Sequence, residues 1–354
     1  MVTDKAASMK YKVGIIGHFG FGLDLANGQT IKTKIVADVI KEAVGGDVCY
    51  VDAHGGIKAV IPVIGGCIKL LRNCEHVFIF LTENGLKVAV PVLSMVNKLF
   101  HRKLHYNVIG GWLPAFLKKN NWLIHHLKQF DYIYVETNTM HSALAKLGLN
   151  NCITIPNCKK LQIVKENELT VCNDKPFKLC TFSRVMKEKG IEDIVNVVRT
   201  INTEAGKIVY SLDIYGQIDN GQKEWFSDLS KSFPEYIQYG GVIDFNKSVD
   251  VLKGYFALVF PTRFYTEGVP GTIVDAYAAG LPVISARWES FSDVIDEGET
   301  GIGYDFCDTN DLTRILEKVA SSPGLINNMK RDCIMKAQDY TLERLKKNLL
   351  LYIR

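Results

Sequence analysis

The chain has 354 residues, 47% hydrophobic and 23% charged, which is the composition of a globular protein long enough for two ordinary domains. Its 42 basic residues are nearly balanced by 38 acidic ones, and a net charge of +4 argues against a nucleic-acid partner. The nine cysteines are odd in number and form no Cys-x-x-Cys pair, so they read as free thiols of a reducing cytosol and argue against structural zinc.

The first ten residues, MVTDKAASMK, contain no apolar core, so they read as a tail and not as a secretory signal. The first strand is predicted at Lys12–Ile16, and a helix at Thr30–Ala43. The glycine cluster between them invites a dinucleotide-binding reading. Its spacing differs from Gly-x-Gly-x-x-Gly opening a helix, because the helix begins only near Gln29. His18 lies in this loop, with a structural role and a ligand-facing role both open. The run from Val60 to Leu71 contains Lys69 and two glycines and reads as loop and helix. No uncharged apolar run approaches the roughly 18 residues a membrane-spanning helix needs.

Further strands are expected at Asp47–Val51, Val77–Leu81, Tyr106–Ile109, Tyr132–Val135 and Cys152–Ile155. Residues 98–128 mix cations with aromatics: Arg102, Lys103, Trp112, Phe116, Lys118, Lys119 and Trp122. The apolar members can be core with solvated lysines around them, or the segment can rest on anionic lipid headgroups. The polar stretch from Asn157 to Pro176 reads as a linker, giving domains at 1–165 and 166–337. The second half offers strands at Lys178–Phe182, Ile208–Ile214, Ile237–Tyr239, Ala257–Phe260 and Pro282–Ser285. Helices are expected at Ile191–Ile201, Asp311–Ala320 and Leu342–Tyr352. Short apolar runs alternating with longer amphipathic ones predict an α/β protein of two doubly wound parallel-sheet, Rossmann-like domains. Ligands of such domains sit at the carboxyl ends of the strands.

Four strand ends in the second half carry ligand-ready residues. The loop SRVMKEKG, Ser183 to Gly190, brings Arg184 and Lys189 to the end of a strand, where two cations can clamp a diphosphate. Gly216 ends SLDIYG and Gly240–Gly241 end IQYGG. The segment EGVPGTIVDAYAAGLPVI then places Glu267 and Asp275 around the start of an apolar helix with Pro270 at its beginning. A carboxylate on a buried helix needs a partner, and a hydroxyl-rich ligand beside a positive helix end would supply one.

This order of motifs resembles the retaining glycosyltransferases of family 4, which have the two-domain GT-B fold. The resemblance covers Lys178 to Leu316. It implies that Arg184 and Lys189 neutralise the diphosphate of a nucleotide-sugar donor and that Glu267 lies beside the donor sugar near the reacting carbon. These three are the candidate catalytic residues. It further implies that Asp275 holds the ribose hydroxyls, that the backbone at Gly268, Val269, Pro270, Gly271 and Thr272 binds sugar and phosphate oxygens, and that Val242 or Ile243 faces the base. Gly216 joins this donor set. Asp275 departs from the family pattern, which has a Glu there, and is one methylene shorter. In the first domain Asn27–Gly28 resembles a glycine pair facing the donor phosphates, so Gly28 and Gln29 are candidate donor contacts. The stretch HYNVIGGWL has Gly110, Gly111 and Trp112 where many members carry a His. The last helix, about 338–354, is expected to return to the first domain.

No Asp-x-Asp pair follows a suitable strand, and Asp305 and Asp308 read as helix-capping residues, so no catalytic metal and no cofactor are expected. The expected activity is transfer of a hexosyl-type sugar from a nucleoside diphosphate, UDP favoured, to a glycan or lipid-linked glycan in polysaccharide or capsule assembly. The expected place is the cytoplasm, at the inner face of the membrane. A non-catalytic sugar-nucleotide binding protein of the same fold is the alternative, and a nicotinamide oxidoreductase rests only on the glycine-rich opening.

Overall fold

A computed structural model describes residues 10–21, 28–55 and 60–353. Asn27 and the expected tail up to residue 9 lie outside the described residues. The chain divides into two units, one running to Cys158 and resuming at Leu342, the other Lys159–Thr341. The stretch expected as a linker therefore belongs to the second unit from Lys159 onward.

In the first unit the strands are β1 (Tyr11–Gly17), β2 (Val48–Asp52), β3 (Cys74–Phe80), β4 (Lys103–Asn107), β5 (Tyr132–Val135) and β6 (Cys152–Thr154). They form one six-stranded sheet of order β2-β1-β3-β4-β5-β6, parallel throughout. The helices are α1 (Gly28–Ala43), α2 (Val60–Asn73), α3 (Glu83–Phe100), α4 (Leu113–Lys119), α5 (Trp122–Leu127) and α6 (Asn138–Lys146). Both faces of such a sheet must be covered, which is why β1 and β3 are buried along most of their length. Helix α2 runs unbroken through Gly65 and Gly66. A side chain at Gly66 would meet Val51 Cγ1 at 2.4 Å, so close packing against β2 needs the glycine. Strand β4 begins three residues before the expected Tyr106, at Lys103, because its polar start is satisfied. Lys103 pairs with Asp131, and buried His105 bonds to His76 at 2.9 Å and to the Tyr134 hydroxyl at 2.9 Å.

The second unit holds β7 (Phe177–Phe182), β8 (Tyr210–Tyr215), β9 (Ile237–Gly241), β10 (Ala257–Phe260), β11 (Val283–Ala286) and β12 (Gly301–Tyr304). They form a second six-stranded parallel sheet of order β12-β11-β10-β7-β8-β9. Its helices are α7 (Ile191–Glu204), α8 (Lys223–Lys231), α9 (Ser248–Leu252), α10 (Gly271–Ala278), α11 (Phe291–Val294), α12 (Thr309–Ser321), α13 (Gly324–Asn327) and α14 (Lys330–Ala337). Asp308 caps α12, its carboxylate accepting from the amides of Asn310 and Asp311. The strand order reverses between β7 and β10, which are hydrogen-bonded neighbours. Loops leaving their carboxyl ends therefore diverge around a crevice, the usual ligand position in a doubly wound sheet. The last helix, α15 (Leu342–Ile353), belongs to the first unit, where Leu345, Leu349 and Ile353 are buried with Val36 and Ile40 of α1.

Candidate active site

The loops after β7, β8 and β10 are knitted together by main-chain contacts. Ser183 N donates to Tyr215 O at 3.1 Å, and Val185 N to Gln217 O at 2.9 Å. Arg263 N donates to Glu188 O at 2.9 Å, tying the β10 loop to the β7 loop. Two glycines permit the approach. Gly216 has φ +135, and a Cβ there would lie 1.8 Å from Ser183 O; Gly190 has φ +66, and a Cβ would lie 1.9 Å from Pro261 O. Gly216 therefore has a structural reason to be glycine, whatever it binds.

This framework brings Lys189 and Glu267 together. The Lys189 ammonium pairs with Glu267 Oε1, and the Thr262 hydroxyl donates to the same oxygen at 2.9 Å. Lys189 also lies over the Phe264 ring, 4.9 Å from its centroid. Both partners are mostly buried, with 18% and 17% of their side chains exposed, so the pair is held in a weakly screened place that a ligand can still reach. Arg184 stands apart from the pair. Its guanidinium is half-exposed and 3.7 Å from Asp219 Oδ2, a separation that leaves its hydrogen-bonding fork largely unused.

Glu267 leads through buried Gly268 and Val269 to Pro270, which caps α10 without a side-chain hydrogen bond. The first amides of a helix have no intrahelical acceptor, so the start of α10 presents N–H groups suited to an anion. The Thr272 hydroxyl is buried there with no hydrogen-bond partner among the described residues. Val242 is exposed on the loop after β9.

Asp275 is nearly fully buried, and its partner is one that sequence reasoning did not name. Both its oxygens lie 2.6 Å from Lys159 Nζ. Burial pushes the Asp275 carboxyl above its ordinary range, against Lys159 and the Ser248 hydroxyl, which pull it down. A lysine 116 positions away leaves no local signal; it falls in a stretch that reads as linker.

A second missed pair lies in the first unit. Lys32 of α1 pairs with Glu136, which follows β5; both are buried, and Lys32 also donates to Val108 O at 3.2 Å. Glu136 accepts from Gly110 N at 3.1 Å. This pair fixes the loop carrying Gly110 and Trp112. Gly28 and Gln29 are the first residues of α1. His18 follows β1, bonding to Thr30 Oγ1 at 3.3 Å and to His54 at 3.0 Å.

Of residues 98–128, Phe116 is core and Trp112 packs against it, while Arg102 donates to Leu71 O and Lys103 pairs with Asp131. Lys98, Leu99, Lys118, Lys119 and Trp122 remain exposed. Among the described residues no helix is long and apolar enough to cross a membrane. An open polar groove of about 540 Å³ between α7 and α12 has its arginines, Arg263 and Arg314, already paired with Asp193 and Asp311. It offers no unpaired cation of that kind to a diphosphate.

Two six-stranded parallel sheets with flanking helices match the GT-B fold of the solved structures that superpose on this chain. Residues 176–322 match the family model described as glycosyl transferases group 1, so the second unit carries a domain of that group. Over 172 residues, 47% of this chain, it is 28% identical to a Klebsiella pneumoniae protein described as an uncharacterized 41.2 kDa protein in cps region. Over 174 residues, 48% of this chain, it is 26% identical to D-inositol 3-phosphate glycosyltransferase of Arthrobacter sp. (strain FB24). The matches span 43% and 40% of those two relatives, less than half of each. Among solved structures, HepE of Anabaena in complex with UDP superposes with a TM-score of 0.74 at 12% identity, covering 96% of this chain and 98% of that one. Sucrose-phosphate synthase of Thermosynechococcus elongatus gives 0.77 at 14% identity, covering 96% and 97%.

Proposed function

We propose that this chain is a retaining glycosyltransferase that moves a sugar from a nucleoside diphosphate, uridine diphosphate by preference, to a hydroxyl of a glycan or lipid-linked glycan. The observation that carries the reading is the Lys189–Glu267 pair between the β7 and β10 loops, one turn of chain before the open amides of α10. The group 1 match over residues 176–322 supports it, and the UDP in the HepE complex favours a uridine donor.

In this reading the diphosphate lies against Arg184, Lys189 and the start of α10, with Gly268, Val269, Gly271 and Thr272 lending backbone groups. The bond between the anomeric carbon and the diphosphate oxygen breaks, and negative charge collects on the leaving group. Two cations and a helix start stabilise that charge where it develops. Glu267 stands beside the anomeric carbon. The acceptor oxygen bonds to that carbon on the face the leaving group departs from, and the acceptor proton goes to a leaving-group oxygen. The charge is met by side chains and amides, so the reaction proceeds without a divalent metal. Gly28 and Gln29 are the candidate donor contacts of the first unit, and Val242 that of the base.

The Klebsiella relative's place in a cps region favours a role in capsule or another polysaccharide. Exposed Lys98, Leu99, Lys118, Lys119 and Trp122 suit contact with the headgroups of an anionic membrane, where a lipid-linked acceptor would lie, and fit a cytoplasmic protein at its inner face. The test is a panel of nucleotide sugars with glycan and lipid-linked acceptors, with and without chelator, scored for nucleoside diphosphate release and for the anomeric configuration of the product. Release with retained configuration supports the reading. Binding without consumption would favour a sugar-nucleotide binding protein instead.

A further inference from the structure

Lys159 is the first residue of the second unit, and it is anchored through both its amide and its ammonium. Its amide donates to Tyr340 O at 2.8 Å, and it bridges in parallel to Thr341, the last residue of that unit. Its ammonium takes both oxygens of Asp275 at 2.6 Å and reaches Gly271 O at 3.4 Å. The chain that follows runs along α10. Leu161 and Ile163 pack on the core beneath it, and Val164 N donates to Ala278 O, at the far end of the helix, at 2.9 Å. One strap therefore grips α10 at both ends, and Lys159 is its charged end.

Asp275 has little left to offer a ligand. Its side chain is 8% exposed, the Lys159 ammonium occupies both oxygens, and Ser248 adjoins it. A ribose hydroxyl would have to reach a carboxylate that is nearly closed to solvent and share oxygens already engaged by a buried ammonium. The shorter reach of Asp at a position where the family pattern has Glu fits the same conclusion.

We propose that Lys159 is the positioning residue of the donor-binding helix, fixing the first turn of α10 through Asp275 and the Gly271 carbonyl, and that Asp275 serves as its counter-ion and not as a ribose ligand. This rests on the reading of α10 as the donor's phosphate-binding helix. The ribose hydroxyls then find other partners, and discrimination between ribose and deoxyribose does not pass through position 275.

Two experiments on the full chain test it. The first is a melting cycle of the wild type, Lys159→Met, Asp275→Asn and the double variant. Each single substitution lowers the midpoint, and the double variant recovers part of the loss; strictly additive losses would overturn the pairing. The second is calorimetric titration with UDP, UMP and 2′-deoxy-UDP. Lys159→Met weakens UDP about tenfold and UMP less than about twofold, because the disorder falls on the turn that meets the terminal phosphate, and Lys159→Arg restores UDP. Equal weakening of UDP and UMP would reduce Lys159 to a structural role and overturn the positioning claim. The affinity ratio of UDP to 2′-deoxy-UDP stays the same in Asp275→Asn as in the wild type; a wild-type ratio that collapses toward one in that variant would make Asp275 a ribose ligand. If the wild type binds none of the three nucleotides, the functional reading fails and the donor role of Lys159 with it, while the melting cycle still decides the pair.

Discussion

Lys189 and Glu267 come from loops that leave two neighbouring strands, β7 and β10, and meet in an ion pair that Thr262 completes. The two residues are 78 positions apart. Only the parallel pairing of those strands, with the reversal of strand order between them, brings their carboxyl ends side by side.

If Glu267 stands beside the anomeric carbon, Glu267→Gln removes a charge and keeps the shape. Transferase turnover is expected to fall by about 10²-fold or more, with the melting midpoint within about 3 °C of wild type. Turnover at the wild-type level would remove Glu267 from the chemistry.

The close approach of the three loops gives a second expectation. Gly216→Ala and Gly190→Ala each place a methyl within 2 Å of a backbone oxygen at a φ that L-residues rarely adopt. Each should cost more than about 2 kcal/mol and weaken UDP binding together with stability, because the loops must separate. Chemical denaturation with and without UDP measures both.

The buried Lys32–Glu136 pair should matter for folding of the first unit. Lys32→Met leaves a buried carboxylate with Gly110 N as a remaining partner and is expected to cost about 3–5 kcal/mol. Replacing both partners with apolar residues of similar size should recover most of that loss. A Lys32→Met protein as stable as wild type would show that the pair is not formed in solution.

His105 predicts a pH dependence. Burial, helped by neighbouring His76 and Lys103, holds its pKa well below the ordinary 6.5, so the ring is neutral in the folded protein. The unfolded chain takes up a proton near 6.5 that the folded chain refuses, so this contribution to stability is whole above that pH and is lost as the pH falls below it. The slope should approach about 1.4 kcal/mol per pH unit well below that value. His105→Phe keeps the stack on Phe78, whose ring centroid is 4.1 Å away, but orphans His76 and the Tyr134 hydroxyl. It should lower stability by about 1–3 kcal/mol at neutral pH and flatten the decline on acidification. Denaturation midpoints across that range decide it.

The alternation of apolar runs made the parallel sheets legible, because strands buried on both faces carry continuous Val, Ile and Leu. Strand β12 escaped notice for the opposite reason: GIGY has two glycines, and a Cβ at Gly301 would meet Val283 O at 2.3 Å, so packing forbids the residues that would have announced a strand. The nearness of Lys189 to Glu267 was legible from their places after neighbouring strands, whereas Arg184, on the same loop as Lys189, stands apart beside Asp219. Lys159 and Thr262 were not legible. A charge whose partner is distant in sequence looks solvated until the fold shows what it touches, and a threonine beside a carboxylate carries no spacing signal. The ribose role of Asp275 came from the resemblance; the premise that a buried carboxylate needs a partner came from the residues, and Lys159 is a partner that the chain itself supplies.

The most direct test is calorimetric titration of UDP into the wild type, Arg184→Ala and Lys189→Ala, each with and without chelator. The account predicts that the wild type binds UDP equally with and without chelator and that each substitution weakens binding by about tenfold or more; the melting midpoint holds in Arg184→Ala, whose guanidinium is half-exposed, and falls in Lys189→Ala, which leaves Glu267 without its cation. No binding by the wild type, or unchanged affinity in both variants, would contradict it.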